Sequence, residues 1–78
     1  MPMMAIKVDE RAVKKQFGAK LRQLRQDRKL SQEGVALEAG LDLTTINEIE
    51  MGSRNPSLLT IAKISKALGV KIKDVFSF

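Results

Sequence analysis

Positions 44 to 48 carry a row of side chains suited to reading chemical groups rather than to transforming them: Thr44, Thr45, Asn47 and Glu48. A threonine hydroxyl donates or accepts a hydrogen bond and its methyl can lie against that of thymine. Asparagine can pair with adenine, and glutamate accepts from the cytosine amino group. Ile46 and Ile49, three apart, define the inward face of a short helix, so the polar side chains between them point outward. Asp42 stands where a carboxylate caps such a helix. Covalent or acid–base catalysis has no candidate residues, because the chain has no histidine, cysteine or tyrosine and no serine beside a usable base. Glu48 and Glu50 are two apart on a helix and diverge, which makes a poor carboxylate pair. The run from Asp42 to Ile46 fails as a calcium loop, since its fifth position is apolar and the required glycine is missing. Neither a metal nor a cofactor is called for.

Such a helix needs elements that hold it out. Ser31 to Gly52 reads as two short helices joined at Gly40, the first capped by Ser31 and running through Ala39. Gly34 falls where a capping box would place Glu or Gln, at a cost of about 0.5–1 kcal/mol, so this helix depends on packing. A longer helix should precede it, from a cap at Asp9 to about Lys29, with Val13, Phe17, Leu21 and Leu24 as its buried stripe. Gly40, Gly52 and Gly69 each follow a periodic segment and mark helix ends in the left-handed conformation. After Gly52, either Asn55 with Pro56 behind it or Ser57 can cap the next helix, whose inner face is Leu58, Ile61, Ile64 and Leu68. Val70 to Phe78 has the length of one more short helix, and no strand is required anywhere.

At 78 residues the chain is expected to form one domain over residues 9–78, with residues 1–8 as a flexible segment. The first residues lack a secretion signature, no apolar run reaches the roughly 18 residues of a membrane span, and the absence of cysteine is compatible with a reducing cytoplasm. The net charge of +5 suits an anionic partner, but it is unevenly spread. Residues 1–29 hold nine Lys/Arg against three acidic residues, and residues 53–78 hold five against one. Between them, residues 31–52 carry five acidic side chains and no basic one. The segment with the reading chemistry is therefore acidic, and attraction to phosphate must come from its flanks.

Phe17-Gly18, Leu21, Leu24-Arg25, Leu30-Ser31-Gln32, Ala36, Gly40, Ile46, Ile49-Glu50, Gly52, Asn55-Pro56-Ser57-Leu58 and Ala67-Leu68-Gly69-Val70 together resemble the lambdoid phage-repressor and Cro type of helix-turn-helix protein. Within it the chain is most similar to the controller proteins of restriction-modification systems, through Gln16-Phe17-Gly18, Gly40-Leu41-Asp42 and Ser57-Leu58-Leu59-Thr60-Ile61. The resemblance implies an all-α, five-helix domain whose second and third helices form the helix-turn-helix, the third entering the major groove. It implies base contacts from Leu43, Thr44, Thr45, Asn47 and Glu48, and phosphate contacts from Gln32, Arg54 and Asn55. It also implies a structural ion pair between Arg25 and Glu50, the glutamate needing a cation because it sits at a helix C-terminus.

The implied function is a cytoplasmic transcriptional regulator that binds double-stranded DNA as a homodimer on a palindromic operator, with a contact to RNA polymerase where it activates. Leu59, Ile72, Phe76 and Phe78 exceed the needs of so small a core and suggest a dimer seam in the C-terminal part of the domain, unless they fold back onto the monomer. The acidic central unit also admits a protein-interaction module on the same fold, or an antitoxin-like regulator.

Overall fold

The computed structural model describes residues 7–78. Among them are four α-helices, α1 (Glu10–Asp27), α2 (Gln32–Ala39), α3 (Leu43–Glu50) and α4 (Leu58–Leu68), followed by a 3-10 helix at Ile72–Phe76. The expectation of a flexible segment over residues 1–8 falls mostly on residues 1–6, outside the described residues. The five-helix expectation is corrected in its last member. Nine residues follow Gly69, and in them the backbone N–H groups of Asp74 and Ser77 reach back three positions, to the carbonyls of Lys71 and Asp74 at 2.9 and 3.4 Å, a tighter turn than that of an α-helix.

Each α-helix starts on a side-chain oxygen that accepts a backbone N–H two or three residues into the helix: Asp9 from Ala12, Ser31 from Gly34, Asp42 from Thr45 and Ser57 from Thr60. Ser57, not Asn55, is thus the cap of α4. Each helix also ends alike, with a left-handed residue followed by an N–H that reaches back five positions, as Val70 does to Ser65. Glycine supplies the left-handed residue after α2, α3 and α4, but after α1 it is Lys29, at φ 55°. A side chain there costs about 1–2 kcal/mol, of which glycine would recover part after its own greater loss of chain entropy. Lys29→Gly is expected to stabilise the protein by about 0.5–1 kcal/mol, a rise of a few degrees in Tm. A thermal melt showing no rise would mean that the lysine is not strained.

The core gathers one apolar face from every element: Phe17 and Leu21 of α1, Val35, Ala36 and Ala39 of α2, Ile46 and Ile49 of α3, Ile61, Ile64 and Leu68 of α4, and Val75. Leu24 packs against it. Two expected members do not enter, since Val13 is 44% and Leu58 71% exposed. Both lie in the first turns of their helices, on the right face but beyond the core's end. The α1 helix lies against α3, and α2 against α3 and α4, so α3 is braced from behind.

Candidate nucleic-acid interface

The outward face of α3 follows from its burial pattern. Ile46 and Ile49 are almost completely buried, whereas Thr44 and Asn47 are exposed and Leu43 and Met51 are apolar but open to solvent. Thr45 is half-buried, and its hydroxyl donates to Asp42 Oδ1 at 2.6 Å while its N–H donates to the same oxygen at 2.9 Å. Its proton is therefore committed to the cap, leaving the hydroxyl oxygen as an acceptor. These two bonds, the hydroxyl first, hold the Asp42 carboxyl below its ordinary pKa.

Behind this face runs a chain of side-chain hydrogen bonds. Asn47 Nδ2 donates to Gln32 Oε1 at 3.3 Å, and Gln32 Nε2 donates to Glu50 Oε1 at 3.1 Å. Arg25 closes the chain from α1, its Nε 2.7 Å from Glu50 Oε2 and its Nη2 3.0 Å from Oε1, with Nη1 donating to the Leu30 carbonyl at 2.8 Å. This two-pronged pair is nearly dry, with side chains 13% and 5% exposed. The bond from Glu50 is the main cause that raises the Arg25 pKa above its already high ordinary value. No buried side-chain nitrogen or oxygen among the described residues lacks a partner.

The structure thus brings Arg25 and Glu50 together and joins Gln32 and Asn47 to them. Gln32, expected to face phosphate, spends one amide N–H on Glu50 and its amide oxygen on Asn47, which leaves its second N–H free to donate. Arg54 Nε donates to Glu48 Oε2 at 2.9 Å, an exposed pair between the helix and the loop that follows it. Sequence reasoning assigned these two residues separate roles and missed their pairing, although a cation six positions after an acid, past a glycine that turns the chain, was a usable signal. Asn55 is exposed on the same loop. Leu59, Ile72, Phe76 and Phe78 are 66%, 41%, 46% and 54% exposed. The two phenylalanines nevertheless touch the core, their ring centres 5.3 and 6.4 Å from that of Phe17.

Two short helices joined by a glycine turn, the second braced from behind and open in front, define a helix-turn-helix protein. The chain belongs to the helix-turn-helix family, whose sequence model matches residues 21–75. It is 52% identical over 63 residues to the control protein C.BamHI of Bacillus amyloliquefaciens, covering 80% of this chain and 78% of that one. With the control protein C.MunI of a Mycoplasma species it shares 44% over 66 residues, 83% of this chain and 89% of the relative. The crystal structure of the restriction-modification controller protein C.AhdI from Aeromonas hydrophila superposes with a TM-score of 0.82 at 40% identity, over 83% of this chain and 98% of that one. All three of these relatives are control or controller proteins. Among the described residues no helix is long and apolar enough to cross a membrane.

Proposed function

We propose that the chain is a sequence-specific transcriptional regulator of the restriction-modification controller kind, acting in the cytoplasm as a homodimer on a two-fold symmetric operator. The observation that carries this reading is the α3 face, where Leu43, Thr44 and Asn47 stand open to solvent over buried isoleucines. With α3 in the major groove, these three and Glu48 face base edges, while Thr45 contributes its methyl and its oxygen. Arg54, Asn55 and the free backbone N–H groups at the start of α2 face phosphates. Gln32 acts from behind, fixing the Asn47 amide so that its oxygen stays free to accept from adenine.

Dimerisation through the exposed Leu59, Ile72, Phe76 and Phe78 would set two reading helices about one turn of DNA apart. Repression then follows from covering a promoter, and activation from a contact with RNA polymerase at its edge. Selection from a random duplex pool tests the proposal, a palindromic winner being expected and a pool without enrichment overturning it. On that winner, Thr44→Ala and Asn47→Ala are each expected to remove about 1–3 kcal/mol of discrimination at one base pair per half-site. Arg54→Ala should weaken binding to that winner and flatten its salt dependence without changing which base is preferred at any position. Equal losses on all DNA from all three variants, measured by titration, would contradict this division of roles.

A further inference from the structure

The Glu48–Arg54 pair has a consequence for selectivity. Arg54 is the first cation after the reading helix, and residues 31–52 contain no other. Only its Nε is engaged by Glu48, and both side chains are well exposed, 39% for Glu48 and 45% for Arg54, so the pair is held by one charge-assisted bond that water can replace. The loop beneath it is anchored, Ser53 placing both its N–H and its hydroxyl on the Glu48 carbonyl at 3.0 and 3.1 Å. Separation therefore needs side-chain rotation and no unwinding of α3. Among the described residues Glu48 Oε1 accepts no hydrogen bond, the one from Arg54 going to Oε2.

We infer that Glu48 is a specificity filter, its carboxylate neutralising Arg54 in the free protein and on unmatched DNA and giving it up to phosphate only where a cytosine amino group takes its place. This rests on the regulator reading proposed above. On unmatched duplex the pair arrives neutral, and separating it would leave a bare carboxylate beside the phosphate backbone, so Arg54 adds little attraction. Opposite a cytosine, the carboxylate gains a donor and Arg54 is released with its full charge. The acidic character of the reading unit then lowers non-specific binding more than specific binding.

Glu48→Ala is expected to bind a mixed-sequence duplex about fivefold more tightly than the wild type, the upper value of an exposed pair. Its salt dependence should steepen by about 0.9 in log–log slope for the one phosphate newly neutralised. On the duplex that the wild type selects from a random pool the gain should be smaller or reversed, so the specificity ratio falls. Glu38→Ala, which removes an equal charge from an exposed site on α2, controls for long-range repulsion, and thermal melts check that both variants fold. A Glu48→Ala gain on mixed duplex no larger than that of Glu38→Ala, or an unchanged specificity ratio, overturns the filter while leaving the regulator reading intact. Failure of both the wild type and Glu48→Ala to bind any duplex at low salt overturns the regulator reading, and the filter with it.

Discussion

Alanine at position 18 is expected to cost the protein about 3 kcal/mol, and valine to prevent folding, as read by urea denaturation of the purified variants. The local preference runs the other way, since alanine inside a helix is better than glycine by about 1 kcal/mol. Contact decides the sign. At Gly18 the α1 backbone crosses the end of α3, and a β-carbon would fall on the carbonyl oxygen of Ile49 and lie 2.7 Å from that of Glu50. The obstacle is backbone, which has no rotamer to change, so α1 and α3 would have to separate along a contact that also buries Phe17 and Ile49. Gly52 meets α1 in the same way, its own β-carbon position 2.8 Å from Lys15 Cα. Two glycines 34 positions apart in sequence thus set the depth at which α3 is seated. For a domain of 78 residues, whose whole stability is roughly 4–12 kcal/mol, such a loss is a large share. An alanine variant as stable as the wild type would show that α1 can move off α3 cheaply.

Much of this arrangement was legible in the sequence because it is local. The caps at Asp9, Ser31 and Asp42 and the left-handed glycines at 40, 52 and 69 are written within four or five residues, and the isoleucines of α3 announce their own face. Depth was not legible. Periodicity placed Val13 and Leu58 on inward faces, but whether the first turn of a helix reaches the core depends on what packs beyond it. The end of α1 was placed near Lys29, within two residues, but its left-handed turn was not legible, because a lysine in that region carries no mark in the sequence. At the site, individual side chains were readable by type, whereas their pairing was not. Gln32 reaches Glu50 and Asn47 only once α2 and α3 are crossed, and the hydroxyl proton of Thr45 is committed to its own cap. The last segment had the length of a helix, but that its backbone bonds would reach back three positions and not four carried no mark in the sequence.

Removing either member of the Arg25–Glu50 pair should cost about 3–5 kcal/mol, because the partner is left charged in a nearly dry site. The two losses are not equivalent. Arg25→Ala leaves a carboxylate at the C-terminal end of α3, where the helix dipole disfavours it, with only the amide of Gln32 as a partner. Glu50→Ala leaves a guanidinium in the last turn of α1, where the dipole is favourable and the Leu30 carbonyl still accepts one bond. Arg25→Ala is therefore expected to be the more destabilising of the two. Replacing both, as in Arg25→Met with Glu50→Leu, should recover most of the stability, since an apolar pair of similar volume has no charge to desolvate. Recovery of fold need not restore reading, because Gln32 loses its anchor on Glu50 and Asn47 then loses the group that orients its amide. Thermal melts of the two single variants and the double variant, together with selection from a duplex pool, separate the two outcomes. Single losses below about 1 kcal/mol, the range of an exposed pair, would mean that water reaches this site and that Asn47 is oriented by something else.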